Sequence, residues 1–216
     1  MALPKISIEE IVPKNITANV IEKDPVDGNV SEKEIEVIAR IAAYCKPQSI
    51  FECGTFDGRT TINMALNAPP DARVYTLDLP AAQINSTKYK LASAGQWSDA
   101  TYIQKSESGA RYKGKQNAGK ISQLYGDSAT FDYAPYRENI DLIFVDGSHA
   151  RDYTKNDTEA ALSMLKPGGV ILWHDYGSVW PDVTAVLDEY AQQDPRFENL
   201  KHITGTTLAI LFLPIK

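Results

Sequence analysis

Acids and histidines recur in this chain just past short apolar runs. Asp78 closes Arg73-Val74-Tyr75-Thr76-Leu77, Asp127 follows Ile121–Tyr125 and Gly126, Asp146 follows Ile140–Val145, and the pair His174-Asp175 follows residues 170–173. Any one of these acids could be a turn residue, because aspartate is common in turns. Acid at four run ends points instead to one shared site on which carboxylates converge. A second constellation suggests its chemistry. Glu52-Cys53-Gly54-Thr55-Phe56-Asp57-Gly58-Arg59-Thr60 follows the apolar Ser49-Ile50-Phe51 and leads into a helical pattern over 61–66. A strand that turns through two glycines into a helix lets a ligand approach the backbone, and the amide N–H groups at the helix start face that ligand. Asp78 lies 20 residues beyond Gly58 (78 − 58), a spacing at which an acid in a βαβ unit accepts hydrogen bonds from ribose hydroxyls. These features predict a nucleoside-binding α/β domain.

The elements that must carry these residues follow from the same pattern. Ser31-Glu32-Lys33-Glu34 is a capping-box sequence, and Ile35, Ile38, Ala42 and Cys45 continue it at helical spacing. Apolar runs beginning at Ser49, Arg73, Ile121, Ile140 and Val170 read as five strands. A helical pattern with Ala161, Leu162 and Leu165 stops at Lys166-Pro167-Gly168-Gly169, and Val183, Val186, Leu187 and Tyr190 form an apolar helix stripe. Leu200-Lys201-His202-Ile203 and residues 207–213, joined around Thr204-Gly205-Thr206, read as a hairpin. Five strands alternating with helices and closed by a hairpin predict a doubly wound, mainly parallel seven-stranded α/β sheet with a C-terminal antiparallel hairpin. Its ligand crevice lies at the carboxyl ends of the strands, where the acids fall. Residues 1–30 lack periodicity and read as an N-terminal arm, packed on the domain of residues 31–216 or on a second subunit.

The glycine spacing discriminates between nucleotides. A dinucleotide fingerprint starting at Gly54 would need glycine at 56 and 59, where Phe56 and Arg59 stand, so NAD is disfavoured. Glu52 would be a poor neighbour for a phosphate and suits a ligand with a positively charged α-ammonium group. The pattern E-x-G-x-x-x-G-x-[ST], followed by an acid ending the second strand, resembles motif I of class I S-adenosylmethionine-dependent methyltransferases, with a Rossmann-like fold. It is most similar to methyltransferase family 24, related to the catechol and caffeoyl-CoA O-methyltransferases, over about residues 31–213. The resemblance implies that Glu52 and the turn containing Gly54, Thr55, Gly58 and Thr60 hold the methionine portion of the donor. It further implies that Asp78 takes the ribose hydroxyls, that Asp127 and Ser128 meet the adenine edge, and that Asp146 borders the donor. In metal-dependent relatives an aspartate at the place of Asp146 is a metal ligand, a lysine three residues later is the base, and an Asp-Asn pair after the fifth strand completes the metal site. Here the lysine position is His149 and the pair is His174-Asp175, 28 positions beyond Asp146 (174 − 146). A histidine titrating near neutrality is a reasonable general base for a hydroxyl nucleophile. A divalent metal on Asp146, His174 and Asp175 is one reading; an imidazole there favours Mn²⁺, Fe²⁺ or Zn²⁺ over Mg²⁺. The competing reading makes His174 a second acid–base group.

Composition restricts the partners. Net charge of −6 and a pI near 5.1 argue against nucleic acid. No run is long enough to span a membrane, and the start does not read as a signal peptide. Cys45 and Cys53 read as buried thiols rather than a disulfide, which favours the cytoplasm. Residues 79–120 are too long for a simple crossover: residues 83–92 carry a helical pattern, and an insertion over about 95–120 is either a lid or a solvated loop. Five basic residues (Lys105, Arg111, Lys113, Lys115, Lys120) in that insertion suggest an anionic small-molecule acceptor, whereas Tyr176 and Trp180 suggest a wall for an aromatic or sugar acceptor. The expected activity is O-methylation by in-line transfer. The alternatives are a cofactor-binding scaffold of the same fold without turnover and, less favoured, an NAD-dependent oxidoreductase. A homodimer through the arm is a further expectation.

Overall fold

The computed structural model describes residues 2–105 and 107–213. In chain order the elements are β1 (Lys5–Ile6), α1 (Ile8–Ile11), α2 (Glu32–Cys45), β2 (Ser49–Cys53), α3 (Arg59–Asn67), β3 (Arg73–Asp78), β4 (Ser93–Ala94), β5 (Trp97–Ser98) and α4 (Asp99–Lys105). They continue with β6 (Ile121–Tyr125), β7 (Ile140–Val145), α5 (Arg151–Met164), β8 (Leu165–Trp173), α6 (Pro181–Gln193), β9 (Lys201–Ile203) and β10 (Ala209–Phe212). The main sheet runs β1-β9-β10-β8-β7-β2-β3-β6, and β4 and β5 form a separate hairpin. Strands β6, β3, β2, β7 and β8 are parallel neighbours, and β10 is antiparallel to β8 and β9. The chain leaves β2 toward β3 and β6, then returns to β7 and β8 on its other side, so the switch point lies at the carboxyl ends of β2 and β7.

Period-two alternation within strands buried on both faces builds two cores. Ile50, Val74, Leu142, Phe144, Val170 and Leu172 face α2 and α3 residues such as Ile38, Ile41 and Met64. Phe51, Cys53, Ile143, Val145, Ile171 and Trp173 face Ala161, Met164, Val183 and Leu187 of α5 and α6. Each fully buried aliphatic or Phe side chain contributes roughly 1.5–3 kcal/mol, so the strand ends that carry the acids are fixed by continuous packing below them. Cys45 and Cys53 are free thiols. Among the described residues no helix is long and apolar enough to cross a membrane.

Two features depart from the sequence reading. The sheet has eight strands rather than seven, because the N-terminal arm adds β1 in parallel to β9, pairing Lys5 with His202 and Ile6 with Ile203. The arm is fastened to its own domain elsewhere too: Asn63 and Asn67 of α3 bond the backbone of Ile21 and Asn19, and the Arg59 guanidinium donates to the carbonyls of Glu22, Lys23 and Val30. Residues 83–92 do not form a helix; a single 3₁₀ turn, Ala81–Gln83, gives way to turns and extended chain. The polar run Asn85-Ser86-Thr87 competes with helical hydrogen bonding, as the Ser86 hydroxyl does by donating to the Gln83 carbonyl.

Candidate active site

The turn between β2 and α3 uses its glycines to make room for the protein itself. Gly54 has φ of 91°, and a Cβ there would sit 2.0 Å from the Asp146 carbonyl oxygen. Gly58 has φ of 85°, and a Cβ there would sit 2.6 Å from the Tyr112 ring and 2.8 Å from Gly109 Cα. The glycines therefore bring β7 and the insertion over the turn, a different reason from the ligand approach inferred from their spacing. Glu52 is also displaced from its expected place. It is fully buried and does not line the cavity; Oε2 accepts from the Thr61 and Thr76 hydroxyls, while Oε1 has no partner among the described residues. Burial, opposed by those hydroxyls and aided by Asp146 and Asp78, pushes its carboxyl up to about 8.

A cavity of about 270 Å³ opens above this turn, bordered by Gly54, Thr55, Thr60, Asp78, Asp127, Ser128, Asp146, His149, His174 and Asp175. On the β3 side, burial raises the Asp78 carboxyl, against the stabilising effect of the Ser108 hydroxyl and of the backbone amides of Thr55, Phe56 and Leu79, which donate to it. Thr55 Oγ1 lies 2.7 Å from Thr76 Oγ1 and accepts from the Gln123 amide at 3.0 Å. Asp127 Oδ1 accepts from the Ala129 amide and the Tyr153 hydroxyl, and Oδ2 accepts from the Lys88 amide at 2.7 Å. Asp127 is thus already engaged as an internal cap rather than held open for a ligand. The Ser128 carbonyl accepts from Tyr133 and Asn156, and its hydroxyl supports buried Asp157, whose carboxyl burial pushes up to about 6.

On the β7–β8 side the carboxylates meet imidazoles. His149 Nδ1 donates to Asp99 Oδ1 at 2.6 Å and Nε2 donates to Asp175 Oδ2 at 2.9 Å, with the ring stacked 4.1 Å from Trp180 at an interplanar angle of 8°. Burial alone would lower its pKa, but Asp175 and Asp99 outweigh it and raise it to about 9. This differs from the near-neutral histidine expected from sequence, because that expectation set neither Asp175 nor Asp99 against the ring. His174 Nδ1 lies 3.1 Å from both Asp146 Oδ1 and Asp175 Oδ2, and Nε2 lies 3.5 Å from Glu34 Oε2. Burial opposes its charge, yet Asp146 and Asp175 raise it well above the ordinary histidine value. Glu34, whose burial favours the neutral form, is held well below the carboxylate range by His174 and by Thr207 and Ser31 donors.

Among the described residues, the side chains that could grip a cation together are Asp146, His149 and Asp175, whose ligand atoms lie within 4.8 Å of one another. His149 takes the place that the sequence reading gave to His174, whose ring is wedged between Asp146, Asp175 and Glu34. The charge argument for an anionic acceptor finds no support among the described side chains, which do not include that of Lys105: Arg59 is the one lysine or arginine among them that lines the cavity, and its guanidinium is spent on three carbonyls. Arg111 pairs with Asp57, Lys113 with Glu107 and Lys115 with Glu22, while Lys120 donates to the Ala65 and Ala68 carbonyls. The cavity is also lined by apolar and aromatic side chains, Leu91, Trp97, Tyr102, Ile103, Val179 and Trp180, the last stacked on His149. Tyr176 lies elsewhere, its hydroxyl donating to Asp188 and accepting from the Leu3 amide.

The acid-lined crevice lies at the switch point of a doubly wound α/β sheet, the place where such folds bind their ligands. The profile of a family described as a methyltransferase domain, family 24 in type, matches residues 51–176, and the chain belongs to that family. No curated protein sequence matches the chain. Among solved structures, the O-methyltransferase TomG from Streptomyces achromogenes, involved in tomaymycin synthesis and in complex with SAM, is similar with a TM-score of 0.58 and 19% identity over 87% of this chain and 82% of that one. The SAH-bound methyltransferase PaMTH1 from Podospora anserina matches with a TM-score of 0.61 and 16% identity, covering 88% and 81% of the two chains. An O-methyltransferase from Bacillus cereus in complex with SAH matches with a TM-score of 0.58 and 16% identity, covering 87% and 84%. At these identities the likeness is one of fold.

Proposed function

We propose that this methyltransferase takes S-adenosylmethionine as donor and methylates a hydroxyl of a small, largely apolar or aromatic acceptor. The observation that carries the reading is the division of one cavity into two walls: a ribose-type acid, Asp78, cradled by backbone amides on one side, and His149 between carboxylates on the other. The donor set fits: the sulfonium and ammonium of the donor are cationic, and the cavity gathers Asp78, Asp146 and Asp175 with no free lysine or arginine among the described residues. When bound, the donor supplies a methyl group already activated by the positive sulfur, so the protein's work is positioning.

In this reading Asp78 exchanges the Ser108 hydroxyl for ribose hydroxyls. Thr55, Thr60 and the backbone of Gly54 border the methionine portion, while Gly126 and Ser128 border the base. Glu52 acts from beneath the floor, holding Thr61 and Thr76 in place. His149 takes the acceptor's proton at Nε2, the edge it turns to Asp175. With a pKa near 9, only a minor fraction of the ring is neutral at pH 7, so transfer rises with pH as that fraction grows. A divalent cation on Asp146, His149 and Asp175 is the second reading, supported by their convergence; it would polarise the acceptor's oxygen.

Titration calorimetry of the metal-stripped protein with S-adenosylhomocysteine, with NAD as the control and then with Mg²⁺ or Mn²⁺ added, separates these. Micromolar binding of the first ligand alone supports the donor assignment, and a separate metal heat supports the second reading. Absence of binding to S-adenosylhomocysteine under every condition contradicts the transferase reading and favours a scaffold.

A further inference from the structure

The insertion between β3 and β6 sends one acid into the histidine wall. Asp99, the first residue of α4, is buried, and its carboxylate collects four donors. Oδ1 accepts from His149 Nδ1 at 2.6 Å; Oδ2 accepts from the Ser148 hydroxyl at 2.5 Å, the Ala92 amide at 2.8 Å and the His149 amide at 3.3 Å. These donors come from two segments, the loop after β7 and the stretch of the insertion just before β4. A single carboxylate therefore joins the insertion to both the backbone and the ring of His149.

We propose that Asp99 is the positioning residue for His149: by accepting from Nδ1 it fixes the proton on that nitrogen and turns Nε2 toward Asp146, Asp175 and the cavity. The inference rests on the reading of His149 as the group that handles the acceptor's proton. An imidazole has two ring nitrogens, and the hydrogen bond made by one decides what the other can do. Asp99 accepts at the edge away from Asp175, while Trp180 covers one face of the ring, so a half-turn about the ring's bond to Cβ would break the Nδ1 contact and would have to pass through orientations that lose the stacking. Asparagine at 99 would present an N–H₂ group to at least one of the present donors, since every contact made by this carboxylate is an acceptance. The insertion then does more than border the cavity, because His149 is aligned only while the Asp99 end of α4 is seated.

The test is long-range ¹H–¹⁵N correlation of the histidine rings in the parent and in Asp99→Asn, followed across the pH range in which each remains folded, with S-adenosylhomocysteine titrated into both. The expected parent spectrum has His149 Nδ1 retaining its proton throughout and Nε2 losing its proton first. In Asp99→Asn that order is lost or the ring samples both tautomers, while S-adenosylhomocysteine still binds. A parent spectrum in which Nδ1 deprotonates first, or a variant that keeps the parent pattern, overturns the proposal. The parent measurement decides the matter alone if the variant does not fold. Failure of the parent to bind S-adenosylhomocysteine would instead sink the transferase reading, whatever the ring spectrum shows.

Discussion

The two sides of the crevice use the same residue type for opposite ends. On the β3–β6 side, Asp78 and Asp127 are surrounded by amides and hydroxyls, neutral donors whose protonation does not change near neutral pH. On the β7–β8 side, Asp146 and Asp175 face His149 and His174, whose charge depends on protons. At Asp78 the first arrangement suits recognition of a ligand that does not change during the reaction, while at Asp127 it serves as an internal cap; the second suits a group that gains or loses a proton. An acid at a strand end is therefore only a position, and its neighbours decide whether it reads a ligand or tunes a base.

Substitutions at the two walls should separate those roles. His149→Ala should lower methyl transfer to an acceptor by about 10²–10⁴-fold, the range of general acid–base catalysis, while S-adenosylhomocysteine affinity stays within about threefold of the parent, a change of under about 1 kcal/mol. Equal loss of both would merge the walls. Asp78→Ala should weaken S-adenosylhomocysteine binding by about 10²-fold, since hydrogen bonds to a charged group are each worth roughly 1.5–3 kcal/mol, with little change in Tm; unchanged affinity would remove the ribose assignment. Ser108→Ala should act in the other direction and more weakly. Removing the hydroxyl that Asp78 now holds should tighten binding by a few-fold, because one internal hydrogen bond is worth roughly 1 kcal/mol; weaker binding would mean that Ser108 helps to hold the ligand.

A prediction read on stability rather than on binding concerns Glu52, beneath both walls. Its folded pKa of about 8 lies above its unfolded value, so the native state binds more protons than the unfolded state between roughly pH 4.5 and pH 8. Stability contributed by the protonated form is fully present below that window and is lost as pH rises through it. Glu52→Gln should therefore gain Tm relative to the parent as pH rises from about 5 to about 8 and hold a constant difference above that. A difference independent of pH would show that Glu52 is ionised in the folded protein throughout.

The strands and the acids at their ends were legible because both follow from local rules: continuous apolar runs, a glycine turn and a capping box. Each of Asp78, Asp127, Asp146 and the His174-Asp175 pair does border the cavity. Asp99 was not legible, since it starts a seven-residue helix inside an irregular insertion and its partner His149 lies 50 residues away. The same holds for Glu34, whose capping-box role was plain from Ser31 while its bonds to Thr207 and its approach to His174 depend on the closing hairpin. Strand β1 has only two residues, too few for any periodicity, and exists through its pairing with β9. The glycines at 54 and 58 were visible, but their reason was not, because the atoms that crowd them belong to Asp146, Gly109 and Tyr112.

A crystal structure of the protein with S-adenosylhomocysteine bound tests the two-wall account most directly. The account predicts ribose hydroxyls on Asp78 in place of the Ser108 hydroxyl, with the sulfur end directed toward His149 and Asp146. Ligand density outside this cavity, or a Ser108–Asp78 hydrogen bond retained in the complex, would contradict it.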